Sequence, residues 1–456
     1  MTPTTTTIFS HLPFTANREQ AKALYQLEAF VAADCPDDVF VLQGAAGTGK
    51  TSLVKALVEH LDATDTRYFL AAPTGRAAKV IMQKTGVRAS TIHHLLYTPQ
   101  ALADGRVMLT RRPNVGEPYS VYVVDEASML SDRTDSDGQF VATNSLLFDL
   151  LDHVKGGNRR SKIIFIGDRY QLAPVNESFS PALSLSHLRE KHGLSVQTAE
   201  LTEVKRQADG SPILALATDL RQRSDMGKAL NRLPLSELYN ATAAVTVYLK
   251  QYDPLRPDKV VLIAYANKNV NTLNRMVRER LGLTGTLAVG DQVMVHENWT
   301  DGTRIVVKGE TGRVVSVATT PDTKAGLTFV QAALAFTDAE GQPFTVQTQV
   351  LLDSLLSESG SIDGDSLRML KAERMAKNAV YRQSDRAYND AYMGAMRLRY
   401  GHALTGYKAQ GGEWDHVLIH PWFRANDYRY AYTAITRARH SAKTWGQLAP
   451  YSTRSS

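Results

Sequence analysis

A glycine loop closes the first apolar strand of this chain. Val39 to Leu42 is a β-branched, apolar run, and Gly44-Ala45-Ala46-Gly47-Thr48-Gly49-Lys50-Thr51 follows it almost at once. Thr51 to Leu61 is helical by composition and period, so the loop lies between a strand and an amphipathic helix, the context such a loop requires. A loop this rich in glycine can turn its backbone N–H groups inward around the phosphates of a nucleoside triphosphate. Lys50 can reach the β and γ oxygens, and the Thr51 hydroxyl can bind Mg²⁺. Ala45, Ala46, Thr48 and Ser52 complete the cradle and its first helical turn. The loop does not say what the energy is used for.

Short apolar runs then alternate with helical segments: Tyr68 to Ala72, Val121 to Val124 and Ile163 to Ile166. The pattern predicts a parallel, doubly wound sheet. The second run ends in Asp125-Glu126, two carboxylates at a strand end, where such sheets place their chemistry. Asp125 would hold Mg²⁺ through its water shell, and Glu126 would orient or deprotonate an attacking water. The third run leads into Gly167-Asp168-Arg169-Tyr170-Gln171. A glutamine just past a strand end can hydrogen-bond a γ-phosphate and report its loss. An acidic pair, or a Gly-Asp step, is by itself also an ordinary turn. Order gives these segments their weight, since each closes its own strand.

The chain has 456 residues and is 43% hydrophobic. That is enough for a large core and about three domains. No stretch reaches the roughly twenty apolar residues of a membrane helix. Met1 to Ile8 lacks the basic and apolar blocks of a secretory signal, so a soluble, cytoplasmic, nucleoid-associated protein is expected, with no membrane partner. The lone Cys35 excludes an intrachain disulfide framework and a cysteine-built zinc site, and reads as a bystander in a reducing compartment. A net charge of +6 suits a polyanionic partner, and a solvated basic face gives the same count.

In order along the chain, these segments and several others resemble the superfamily 1B DNA helicases, in particular their Dda-like and RecD-like members, from about residue 14 to residue 440. Phe14 to Gln20 resembles the segment ahead of the phosphate loop, in which Gln20 would read the adenine edge of ATP. Ala72-Pro73-Thr74-Gly75-Arg76 resembles the first DNA-contacting motif and Ser90-Thr91-Ile92-His93-His94-Leu95 the second. Pro73, Thr74, Thr91 and His93 are therefore expected at DNA. Threonines at helix N-termini also make plain caps, and the histidines could be one packing and one exposed residue. Leu201 to Gln207 resembles motif IV and Tyr432 to Ala438 motif VI, which makes Arg206 and Arg437 the catalytic cations that meet the γ-phosphate. Arginine's planar, always-charged fork suits that task. Ala264-Tyr265-Ala266-Asn267 resembles motif IVa, with a helix cap as the other reading of Asn267. Thr405-Gly406-Tyr407-Lys408-Ala409-Gln410-Gly411 resembles motif V, with Thr405 and Lys408 at the DNA backbone. Tyr407 stands where the family usually has histidine, so contact or packing stays open.

The second half repeats the architecture without a phosphate loop: strands at Val260 to Ala264, Val417 to His420 and Thr444 to Leu448, and a helix at Asn267 to Leu281. The expected fold is α/β, two RecA-like doubly wound parallel-sheet domains of the P-loop NTPase type with two insertions. Residues 1–178 form the first domain, and 97–119 within it a β-hairpin around Asp104-Gly105, the pin by resemblance, flanked by Tyr97 and Tyr119 as stacking or core residues. Residues 179–288 and 400–456 form the second domain. Residues 289–399 form a subdomain with strands at Gln292 to His296, Thr303 to Lys308, Gly312 to Val317, Leu327 to Phe336 and Phe344 to Thr348. These read as a small all-β barrel, Src-homology-3-like by resemblance, followed by a mobile loop at Asp353 to Asp365 and a long helix at Leu367 to Leu398. Tyr381, Tyr388 and Tyr392 on that helix fit packing better than single-strand binding.

The resemblance implies an ATP- and Mg²⁺-dependent DNA helicase that moves 5′ to 3′ on single strands, works as a monomer at single-strand to duplex junctions, and meets single-strand-binding protein or replication and repair partners. An ATPase subunit of a larger recombination complex, or an ATPase that remodels protein–DNA complexes, are the alternatives.

Overall fold

In the computed structural model the described residues are 7–32, 34–101, 107–134, 140–141, 143–204, 211–306, 308–338, 342–358 and 360–446. They divide into two compact units, Met1–Gly210 and Ser211–Ser456.

The first unit is built on a six-stranded sheet, ordered Ala89–Thr91, Tyr68–Ala72, Val121–Val124, Lys162–Gly167, Val39–Gly44, Val196–Leu201. Every neighbouring pair is parallel. Val121–Val124 and Lys162–Gly167 are buried throughout, which is why they read as unbroken apolar runs rather than alternating ones. Leu24, Leu27 and Phe30 of helix Arg18–Val31 and Leu53, Leu57 and Leu61 of helix Lys50–Ala63 share one apolar layer. Leu147, Leu150 and Val154 of helix Leu146–Gly157 belong to the other.

The expected boundary after residue 178 is displaced. Val196–Leu201 pairs with Val39–Gly44 along six residues, so the chain to Gly210 belongs to the first unit. Its burial alternates as an edge strand's does, and Gln197, Thr198 and Glu200 hide it from a search for apolar runs. Tyr97–Ala101 and Val107–Arg111 form the expected antiparallel hairpin, with Phe140–Val141 as an unexpected third strand, while Asp104 and Gly105 lie outside the described residues. Tyr97 is buried and donates to Asp149 Oδ2 at 2.7 Å, and Tyr119 donates to the Val31 carbonyl at 2.7 Å. Both are packing residues.

The second unit carries a parallel five-stranded sheet, ordered Glu237–Leu238, Ala438–Trp445, Trp414–Ile419, Val260–Ala264, Ala403–Thr405. The strand expected at Thr444 to Leu448 begins earlier, at Ala438, because Arg439, His440 and Lys443 interrupt its apolar pattern, and Leu448 lies outside the described residues. The insertion closes into a ring of five strands: Thr311–Val317, Gln292–Val295, Met396–Tyr400, Pro343–Leu351 and Leu327–Thr337, which pairs back to Thr311–Val317. Leu334, Val350, Met396 and Leu398 fill it. Gly401 N donates to Gln292 O at 2.8 Å, so the chain leaves the ring beside the point where it came in.

Several expectations inside this insertion are corrected. Thr303 to Lys308 reduces to Ile305–Val306, in a two-stranded ribbon with Trp299–Thr300. The loop at Asp353 to Asp365 begins as helix Asp353–Leu356, whose Asp353 carboxylate accepts from Thr328 N at 2.7 Å. The long helix is broken into Gly364–Lys377 and Ala379–Ser384, and Met396–Tyr400 is a strand. Asn378, extended at φ −121°, ends the first helix and caps the second through its side chain. Tyr381 is buried and Tyr392 packs edge-on against Phe329, in line with the packing reading.

Candidate active site and nucleic-acid interface

The phosphate loop leaves strand Val39–Gly44 and opens helix Lys50–Ala63. A Cβ on Gly44 would stand 2.7 Å from Thr48 Oγ1, and Gly49, at φ +90°, faces Gln20 Nε2 at the same distance. Only glycine fits either position, so the tight cradle a phosphate chain requires is built from the backbone. Lys50 Nζ donates to the Ala45 carbonyl at 3.0 Å and to that of Gly44, which holds the ammonium in the mouth of the loop. Thr48 Oγ1 donates to Ala45 O at 2.9 Å. Gln20 is fully buried, closes a capping box with Asn17 and donates to Thr48 O at 2.9 Å. It therefore braces the loop from its base, a role the sequence did not reveal.

Asp125 and Glu126 follow strand Val121–Val124. Glu126 is at φ 52°, ψ 35°, a left-handed conformation that non-glycine residues rarely hold and that turns the chain sharply at the strand end. Burial, and then the neighbouring Glu126 carboxylate, push Asp125 up to about 6, while Lys50 pulls it the other way. One strand over, Gln171 is buried past the end of Lys162–Gly167, and its Oε1 has no hydrogen-bond partner among the described residues. A buried carboxamide oxygen left unmatched is costly and suits a group that accepts from a water or a ligand.

Thr74, Thr91 and Thr405 each cap a helix, accepting from Ala77 N at 3.2 Å, His94 N at 3.1 Å and Lys408 N at 3.3 Å. The cap reading thus holds for Thr74 and Thr91, Thr405 proves to be a cap as well, and a helix N-terminus also remains a phosphate ligand. Pro73 precedes Thr74 at the end of strand Tyr68–Ala72, and His93 is exposed, its ring 5.8 Å from that of Tyr97. Asn267 opens helix Asn267–Arg280, but Ala266 holds the cap position, so the cap reading of Asn267 fails. Tyr407 is 40% exposed.

Lys408 lies among cations from other elements of the second unit. Burial, then Arg399 and Lys308, bring its ammonium down to about 7. Burial, then Lys408, Lys308, Arg399 and Arg397, push His296 down to about 3. Arg399 reaches from the barrel to helix Asn267–Arg280, donating to Asn271 Oδ1 at 2.9 Å and to Glu358 O at 2.8 Å. Sequence reasoning missed Lys308 and His296, since separations of some hundred residues leave no local signal, and Arg399, which lies nearby in sequence but on a different element from Lys408.

Arg437 follows helix Tyr428–Ile435 and its cap Thr436, and is buried. Its Nη1 donates to Gly412 O at 3.2 Å and its Nε to Thr433 O at 3.1 Å. The guanidinium is thereby tied to the turn that begins at Thr405. Arg206 lies outside the described residues.

A family profile described as an AAA domain matches residues 15–235, and one described as a UvrD-like helicase C-terminal domain matches 400–442. The ATP-dependent RecD2 DNA helicase of Deinococcus radiodurans is 27% identical over 430 residues, 93% of this chain and 48% of that protein. The ATP-dependent DNA helicase dda of Enterobacteria phage T4 is 30% identical over 267 residues, 56% of each chain. The chain is thus similar to helicases of superfamily 1B. It spans about half the length of these curated relatives. A crystal structure of Bacteroides Pif1 bound to single-stranded DNA, 15% identical to this chain, covers 96% of it and aligns over 93% of its own length with a TM-score of 0.49. No helix among the described residues is long and apolar enough to cross a membrane.

Proposed function

We propose that this chain is an ATP-driven motor of superfamily 1B that translocates 5′ to 3′ on single-stranded DNA and unwinds duplex at single-strand junctions. The observation that carries the reading is the alignment, on adjacent strands of one sheet, of three groups: the glycine cradle after Val39–Gly44, the unmatched Gln171 carboxamide after Lys162–Gly167, and Asp125-Glu126 after Val121–Val124. Strand ends of a parallel sheet are where a phosphate chain and its attacking water can be held together.

In this reading Lys50 exchanges the carbonyls of Gly44 and Ala45 for β and γ oxygens, and Gln20 supports the loop beside the adenine. Thr51 and Asp125 would hold Mg²⁺, which would supply positive charge against the phosphates. Glu126 takes the proton of the water that attacks the γ-phosphorus, Gln171 orients that water, and ADP departs with phosphate. Arg206 and Arg437 supply positive charge as the transition state forms. The link from Arg437 to Gly412 supports a coupling between hydrolysis and the Thr405–Lys408 turn at the DNA backbone. The hairpin is the duplex-splitting pin and the five-strand ring the Src-homology-3-like cap over the strand. The motor acts as a monomer in the cytoplasm on the nucleoid, alongside single-strand-binding protein.

A strand-displacement assay tests the reading. A duplex with only a 5′ overhang should be unwound in the presence of ATP and Mg²⁺, and one with only a 3′ overhang should not. The reverse preference would overturn the direction, and hydrolysis with no unwinding of either would favour a remodelling ATPase.

A further inference from the structure

A second group of chemistry-bearing side chains lies in the first unit and takes no part in the nucleotide site. Asp132 follows the short turn Ala127–Met129 that leads away from Glu126, and its side chain is 4% exposed. Helix Leu185–His192 brings two imidazoles to it. His187 Nε2 is 2.6 Å from Asp132 Oδ2, and His192 Nε2 is 2.9 Å from the same oxygen. Donor atoms of all three residues lie within 4.8 Å of one another.

The carboxylate is fixed from behind. Asp132 Oδ1 accepts from Ser145 Oγ, and Asp132 N donates to Glu177 Oε1 at 3.1 Å. Burial opposes the charge, but hydrogen bonds from Lys191, Ser145, His187 and His192 hold the carboxyl well below the usual range, so it is an anion at neutral pH. Lys191 Nζ is the third group on Oδ2, at 2.6 Å, and its side chain is about half exposed. Three nitrogen groups thus converge on one oxygen, where a single ion pair would satisfy the charge.

Two imidazoles and a carboxylate are the donors of a zinc-class ion, whereas Mg²⁺ prefers an oxygen shell. Bonds of about 2.0–2.2 Å place tetrahedral donors about 3.3 Å apart. The imidazoles would need to recede from Oδ2 by less than about 1 Å, while Lys191 can swing its long stem into water. We infer that Asp132, His187 and His192 form a binding site for a zinc-class divalent ion, completed by solvent, that clamps the segment after Glu126 to helix Leu185–His192. The Ser145 hydroxyl then acts as the outer hydrogen bond that orients the carboxylate ligand.

Tag-free full-length protein, stripped with a chelator, is titrated with Co²⁺ alone and with Zn²⁺ alone in the absence of nucleotide. One equivalent of Co²⁺ should give ligand-field absorption, Zn²⁺ should displace it and raise Tm, and Mg²⁺ should do neither. A variant carrying His187→Gln and His192→Gln should lose the absorption and the Tm rise. Lys191→Met removes the competing cation without touching a ligand and should bind Co²⁺ at least about tenfold more tightly. Absence of absorption in the unmutated protein, its survival in the double variant, or an affinity that Lys191→Met leaves unchanged or weakens would each overturn the site and leave a buried ion-pair clasp. If the double variant does not fold, the Lys191→Met arm decides alone.

Discussion

Glu126 holds a left-handed backbone that costs a non-glycine residue about 1 kcal/mol or more, and it does so next to a carboxyl that the fold prefers to keep neutral. Because Asp125 is raised to about 6, its ionised form is the one the fold disfavours. Stability from this group is greatest at low pH and is eroded as pH rises through its ordinary range towards about 6. In the proposed role, Mg²⁺ would offset that penalty by pairing with the ionised carboxylate. Nucleotide affinity in the presence of Mg²⁺ should therefore weaken as pH falls below about 6, and Asp125→Asn should flatten the dependence. Titration of a fluorescent ATP analogue across that range checks it, and a flat profile for the unmutated protein would refute the Mg²⁺ role. Lys408 gives the opposite sign. Its pKa of about 7 means that the fold disfavours the charged ammonium, and that the charge is lost as pH rises past neutrality. Single-strand affinity should tighten as pH falls through about 7, and Lys408→Met should abolish that slope in a fluorescence-anisotropy titration. Lys50, Asp125 and Gln171 were legible because each is a residue type at a strand end, a short-range pattern. The depressed Lys408 was not, because Arg399 and Lys308 reach it only through the fold.

The elements that sequence reasoning found are those whose period is clean. Val121–Val124 and Lys162–Gly167 are buried on both faces, so they read as strands from composition alone. Met396–Tyr400 is a strand in the middle of a basic, aromatic stretch, and the buried Arg399 breaks the alternation that would have marked it. Asn378 divides what periodicity takes for one helix, since its side chain can cap only if the backbone first leaves the helix. The five-strand ring allows a direct test of its closure. A Cβ at Gly312 would meet the Phe336 ring at 2.5 Å and the Ala335 carbonyl at 2.9 Å, where the closing strands pair. Gly312→Val should destabilise the ring by about 1–3 kcal/mol through overpacking. Thermal unfolding followed by circular dichroism should show the loss, and an unchanged melting curve would mean that the ring does not close at this seam.

For the molecule as a whole, the first unit carries the residues proposed to hold the nucleotide and the second carries the Thr405–Lys408 turn and Arg437. Lys50→Ala should abolish ATP turnover and leave single-strand affinity within about threefold, because exposed sites away from a mutation are little perturbed. In the unmutated protein, single-stranded DNA should raise the ATPase rate, measured by coupled phosphate release. Stimulation that is absent would sink the motor reading, while loss of DNA binding in Lys50→Ala would mean that Lys50 is structural. The barrel sits in this plan on unusual terms. Gln292 and Gly401 are hydrogen-bonded neighbours, so the hundred-odd residues between them meet the host sheet as a short loop would. Loop-closure entropy grows only slowly with length, and a pre-closed module adds almost none. The second sheet can therefore fold around a fixed pair of neighbouring ends whatever hangs from them. That makes the insertion a tool head whose far parts can be lengthened or replaced, provided its ends and the Arg399 link to helix Asn267–Arg280 are kept.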